Sequence, residues 1–178
     1  MQTVQSVIDF WKNAGPKRWF AKDDAFDASF RDTFYATHLQ AARRELESWL
    51  GSAEGALALL ILLDQYPRNA FRGTAHMFAT DPLARLYAHR MVGAGLDQQI
   101  EPSLRAFCYL PFEHSESPSD QLRSLELNRH LDKNTYHWAK EHANIIERFA
   151  RFPHRNEVLA RVSTPAERAF LAAGGFAG

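Results

Sequence analysis

Helix-start devices recur along the whole chain and leave little room for any other element. Asp81-Pro82 puts a proline at the first helical position, where its missing N–H costs no hydrogen bond, and predicts a helix running to the Gly93/Gly95 pair. Pro102 and Pro118, the latter after Ser117, repeat the device. Thr164-Pro165-Ala166-Glu167 is a capping box, in which threonine and glutamate satisfy each other's orphan amides, and Gly174 closes that helix.

Between these starts, apolar residues recur at helical spacing. Val4, Val7, Ile8 and Trp11 form one stripe before Gly15 and Pro16 break it. Asp23 or Asp24 caps a long second helix in which Phe26, Phe30, Phe34, Ala41 and Trp49 share a broad face, ending at Gly51. Ser52 then caps a helix containing the apolar run Ala56 to Leu63, far short of the roughly 20 residues that span a bilayer and therefore read as buried. The expectation is an all-α chain of about eight or nine helices with no convincing strand. No Ser/Gly-rich linker divides it, and its 178 residues suit a single domain over 1–178.

Charge narrows the partners. Lys plus Arg and Asp plus Glu are equal at 21 each, so no cationic face for nucleic acid or an anionic membrane is expected. Cys108 stands alone and no signal peptide opens the chain, which points to a reducing cytoplasm, with Cys108 a small buried hydrophobe. A phosphate-cradling glycine loop, a Gly-x-Ser-x-Gly elbow and a CxxC pair are all missing, so no cofactor is expected.

His137 to His142, "HWAKEH", superficially suggests a zinc-protease helix, but its histidines are five residues apart and lie about 140° apart around a helix. No metal is expected there. His142 instead joins Trp138, Ile145, Phe149 and Phe152 on an apolar face, either as a satisfied core histidine or in contact with a nearby polar pocket. His130, Asn134, His137 and Glu141 form a solvated stripe.

Two corners echo each other: "LLDQYPRN", Leu62 to Asn69, and "RFPHRN", Arg151 to Asn156. One reading is architectural. The residue before proline is pushed out of the α region, so helices end near Tyr66 and at Phe152-Pro153; Asn69 then caps a segment beginning at Ala70, and Asn156 caps Glu157 to Ala160. The charges ask for more. Asp64 at a helix C-terminus opposes the dipole and needs a cation, for which Arg68 and Arg72 are candidates; either Asp64 and Arg68 form a closed pair, or a guanidinium fork held by one carboxylate edge presents its remaining donors to an anionic ligand. In "PFEHSES", Pro111 to Ser117, Glu113, His114 and Glu116 form an acid/base pair in which one carboxylate fixes the imidazole tautomer, or donate two ligands to a metal, or else Ser117 simply caps the helix beginning at Pro118 while the acids sit near its positive end.

The segments "FWKNAGPKRWFAKDDAFDASF", "LALLILLDQYPRNAFRGTAHMFATD", "FCYLPFEHSE" and "IIERFARFPHRNEVLARVSTPAE" resemble the bacterial domain of unknown function 924 family over essentially the whole chain. The resemblance implies a tetratricopeptide-like fold, a right-handed superhelix of antiparallel helix pairs, and carries no established activity. Two positions depart from the usual pattern: Tyr66 replaces phenylalanine at the first corner, and Ala150 replaces glycine before the second.

Two functions are expected. In the first, the chain is a binding or interaction module whose Asp64, Gln65, Arg68, Arg72, His114, His154 and Arg155 converge on a small anionic ligand or a peptide carboxylate. In the second, it is an enzyme in which His114, oriented by Glu116 or Glu113, moves a proton while Asp64, Arg68 and Arg155 position substrate.

Overall fold

The computed structural model describes residues 2–176. Among the described residues there are helices and turns and no strand. The helix α1 (Val4–Ala14) is capped by Thr3 and Ser6 reciprocally, and Gly15, at φ 73°, turns the chain so that Pro16 opens α2 (Pro16–Trp19). Next, α3 (Asp24–Ala42) starts where expected, with Asp23 Oδ1 accepting from the Ala25 and Phe26 amides at 3.1 and 3.0 Å. It does not reach Gly51. Arg44 adopts the left-handed conformation, the Glu45 N–H returns to Gln40 O at 2.9 Å, and Glu47–Gly51 forms a separate 3₁₀ turn.

Ser52 caps α4 (Ala53–Leu60), its hydroxyl accepting from Gly55 N–H at 3.1 Å. The chain then widens into a π turn, Ile61–Gln65, and continues without a break into α5 (Tyr66–Ala70). This corrects the architectural reading of the first corner: Tyr66 keeps α geometry (φ −53°, ψ −49°), and Asp64 lies inside a continuous helix instead of at its C-terminus. The wide turn absorbs the proline. Pro67 offers no N–H to the preceding turn, and the carbonyls there find side chains instead. Leu62 O accepts from His38 Nδ1 at 2.9 Å, Leu63 O from Thr80 Oγ1 at 2.5 Å, and Asp64 O from Arg68 Nη1 at 2.7 Å.

The remaining helices are α6 (Asp81–Gly93), α7 (Pro102–Arg105), α8 (Leu110–Glu113), α9 (Pro118–Asn128), α10 (Lys133–Phe149) and α11 (Pro165–Ala172). Four of them begin at or beside a proline read from the sequence: Pro82, Pro102, Pro118 and Pro165. Counting α4 and α5 as one helix, and Pro102–Glu113 as one irregular segment, the described residues form nine helices. None is long and apolar enough to cross a membrane.

The contacts divide the chain into two compact units, one made of the residues up to Arg72 with His76–Pro111, the other of Gly73–Ala75 with the residues from Phe112 onward. In the first, Trp11, Phe30, Phe34, Tyr66 and Cys108 are fully buried, and Trp11 meets Phe107 edge to face at 5.2 Å. The Tyr66 hydroxyl, the atom that distinguishes it from phenylalanine, donates to Arg31 O at 3.0 Å, so the extra polar group is satisfied on burial. In the second unit, Ile145, Ile146 and Phe152 form a core with Phe149, Phe170 and Phe176 packed against it.

Ala150 occupies a position that suits glycine. It is the left-handed residue that ends α10 (φ 58°, ψ 8°), so the requirement there is for positive φ. Ala150→Gly is therefore expected to stabilise the protein by about 0.5–1 kcal/mol, the relief of left-handed strain less the added entropy of the unfolded chain, and to raise Tm by about 1–4 °C in a thermal melt.

Candidate functional site

The first corner closes on itself. Arg68, on α5, places its fork on Asp81 at the start of α6, with Nη1 to Oδ1 at 2.8 Å and Nη2 to Oδ2 at 3.0 Å, while Nη1 also stands 3.2 Å from Asp64 Oδ1. Burial would lower the Arg68 pKa, but Asp64 and Asp81 together push it up. Gln65 Nε2 donates to Asp64 Oδ2, so the buried acid is held from both sides. One turn further on, Arg72 donates to Asp27 through Nε and Nη2, and Asn69 Nδ2 donates to Asp27 Oδ1 at 2.7 Å. Asn69 thus ties α5 to α3 and does not cap a following helix. Asp27 is the residue that sequence reasoning passed over: it lies in the first turn of α3, where an acid needs no explanation beyond the dipole.

The second corner is built differently. After Ala150, Phe152 is extended (φ −89°, ψ 108°), Pro153–Arg155 forms a 3₁₀ turn, and no helix comes next for Asn156 to cap. Asn156 Nδ2 reaches Ser163 Oγ at 3.1 Å and Glu167 Oε2 at 3.3 Å. Glu167, 2% exposed, also accepts from Arg151 Nε and Nη2 at 2.6 and 2.8 Å and from Thr164 N–H at 2.7 Å, completing the predicted capping box.

The Arg151 hydrogen bonds lower the Glu167 pKa to about 2, well below its usual 4.5. Because the folded value is the depressed one, this stability is present above about pH 4.5 and lost as the pH falls towards 2; it is on the order of 3 kcal/mol. Urea midpoints should therefore decline across that window, and Glu167→Gln should flatten the decline while lowering the midpoint at neutral pH.

Glu116 belongs to this corner rather than to His114. Its carboxylate accepts from Arg161 Nη1 at 2.8 Å and from Phe152 N–H at 2.8 Å. Burial would raise its pKa, yet the Arg161 bonds outweigh that and the net shift is downward. His142 has a carboxylate beside it: its Nδ1 lies 3.1 Å from Glu113 Oε1 and 2.9 Å from Trp138 O. Both neighbours are acceptors, so Nδ1 carries a proton. His142 is 7% exposed and Glu113 3%. His142 was expected on the apolar face, and it is there, in contact with polar groups as well.

Around this dyad the second unit gathers the other candidates. The His114 ring lies 6.0 Å from that of His142. Phe152 is flanked by His142 at 5.6 Å and His154 at 5.7 Å, and Arg155 Cζ stacks 4.4 Å from its centroid. Asp64, Gln65, Arg68 and Arg72 thus belong to the first unit, and His114, Glu116, His154 and Arg155 to the second. Among the described residues, no group of three or more His, Cys, Asp or Glu is placed to hold a metal ion.

The fold and its corners define an all-helical protein in which two proline-arginine-asparagine corners are closed by partly buried ion pairs. More particularly, the chain belongs to the family described as bacterial protein of unknown function, domain of unknown function 924, whose model matches residues 7–175. It is similar to the solved structure of the protein of unknown function ATU0120 from Agrobacterium tumefaciens, with 54% identity, coverage of 96% of this chain and 97% of that one, and a TM-score of 0.94. No curated protein matches the chain.

Proposed function

We propose that this protein is a binding module of tetratricopeptide-like architecture, whose ligand is a small anion or a peptide carboxylate held at the second corner by His114, His154 and Arg155. The observation that carries this reading is the gathering of imidazoles and a guanidinium around Phe152, with His114 and His154 only partly buried. Arginine and imidazolium groups beside an apolar wall bind carboxylates more strongly than the same groups in open water. At the first corner Arg68 and Arg72 already hold carboxylates, so an outside acid would bind there only by exchange with Asp81 or Asp27.

The test is thermal stability with acetate, succinate and inorganic phosphate. A ligand at a hundred times its Kd stabilises by about 2.7 kcal/mol, and the rise in Tm should be absent in His114→Gln and His154→Gln, whose unliganded Tm should change little. If no anion moves the unmodified protein, or both variants respond as it does, this reading is wrong.

One observation favours a second reading, an enzyme. Glu113 fixes the tautomer of His142 at 3.1 Å, as a carboxylate does beside a proton-transferring imidazole. In this reading His142 with Glu113 moves the proton and His114 lies beside them, in place of His114 with Glu116. Turnover of any ligand found above, lost in His142→Gln with binding retained, would select it.

A further inference from the structure

We propose that the Phe176 ring is a built-in occupant of the second-corner site, and that the site's ligand is an aromatic carboxylate whose ring replaces that of Phe176 while its acid reaches His154 and Arg155. This rests on the anion-binding reading above and names the ligand class.

The tail is led there in steps. α11 ends in a reversal at Gly174, φ 80°, with Gly174 N–H bonded to Leu171 O at 3.1 Å and Gly175 N–H to Phe170 O at 3.0 Å. Gly175 lies against the Phe170 ring, where an added Cβ would come within 2.6 Å of ring carbons. Phe176 then meets three rings: His142 at 4.7 Å, His154 at 5.2 Å, both edge to face, and Trp138 at 6.1 Å. Two of these partners are the imidazoles that flank Phe152, and the Arg155 guanidinium lies over the same Phe152 ring. The ring therefore fills a cage of His142, His154 and Trp138, and the two imidazoles join it to the Phe152 ring that Arg155 covers.

Such a cage suits a phenyl ring, whose edges and faces meet neighbouring rings favourably. Phe176 is partly exposed and Trp138 is 43% exposed, so the occupant sits at the surface, where it can leave. A ligand that must displace a resident ring binds with its affinity reduced by the fraction of chains in which the cage is open. Removing the ring should lift that penalty, as an emptied apolar cavity accepts an aromatic guest.

The experiment uses the full chain and its Phe176→Ala variant, titrated calorimetrically with hydrocinnamate, benzyl alcohol and propionate. Hydrocinnamate should bind the variant at least about tenfold more tightly than the unmodified protein, with benzyl alcohol weaker and propionate weaker still. A measurement on the unmodified protein guards against a variant that folds poorly: nuclear Overhauser contacts between the Phe176 and His142 rings should fade as contacts from the hydrocinnamate ring to His142 and His154 grow. Equal affinity in both proteins, with the Phe176 contacts unchanged at saturation, overturns the proposal. Propionate binding that is lost in His154→Gln, without any gain from a ring, keeps the anion reading and overturns the cage. Benzyl alcohol binding as tightly as hydrocinnamate keeps the cage and overturns the anion reading, and with it the ligand class proposed. Absence of binding by all three overturns both.

Discussion

Arg68→Ala is expected to destabilise the protein by about 3–5 kcal/mol, because it leaves two carboxylates facing each other with their shared cation gone. Asp64 and Asp81 both lie within hydrogen-bond or ion-pair distance of Arg68 Nη1, and the Asp64 side chain is only 2% exposed. The loss corresponds to a fall in Tm of about 6–20 °C for a chain of this length. Its dependence on pH identifies the cause. Two close carboxylates cannot both stay ionised at little cost, so protonating one relieves the repulsion, and the deficit relative to the unmodified protein should shrink between pH 7.5 and pH 4.5. Arg68→Lys should recover only part of the loss, since a point charge cannot reproduce the two parallel bonds to Asp81. A deficit that is the same at both pH values would mean that lost packing against Phe78, 5.6 Å from the guanidinium, dominates instead.

Gly55→Ala is expected to be comparably severe through a different force. A Cβ at this position would stand 2.1 Å from Trp49 O and 2.9 Å from Trp49 C. Those atoms are backbone, so relief requires moving the 3₁₀ turn before α4 or breaking the Ser52 cap, whose hydroxyl bonds the same residue's amide. The expected cost is about 3 kcal/mol, read from chemical denaturation at neutral pH. Unlike Arg68→Ala it should show no recovery in acid. A loss below about 0.5 kcal/mol would mean that the turn before α4 yields freely.

Helix starts were legible because their signals are local. A capping box or a proline at the first helical position is decided by four residues, and Asp23, Ser52, Asp81 and Thr164 all begin helices where the chain says they do, as cap or first residue. Helix ends were harder. α3 stops at a left-handed Arg44, a residue with no reputation for that role, and the proline at 67 is carried through a π turn whose orphan carbonyls are met by His38 on α3 and Thr80 before α6. Those donors are distant in sequence, so no local rule could supply them.

Legibility at the corners divided along the same line. Asp64 with Arg68 was readable as an i, i+4 pair. Asp27 with Arg72, 45 residues apart, and Arg161 with Glu116, again 45 apart, were not. The assignment of Glu116 to His114 failed because adjacency in a loop suggested a partnership that Arg161 had already taken. Phe176 carried no signal at all, being a lone aromatic after two glycines.

The π turn at Ile61–Gln65 has a mechanical consequence for what the chain can tolerate. Each residue of a helix advances the direction of its side chains by about 100°, so the length of this segment sets the phase between α4, which packs on α1 and α6, and α5, which packs on α3. Deleting one residue there would swing Arg68, Asn69 and Arg72 together, drawing them off Asp81 and Asp27 in a single motion. Substitutions within Ile61–Leu63 that keep apolar bulk should be absorbed, whereas a change of length by one would not: the segment works as the key of a lock that is cut for angle rather than for shape.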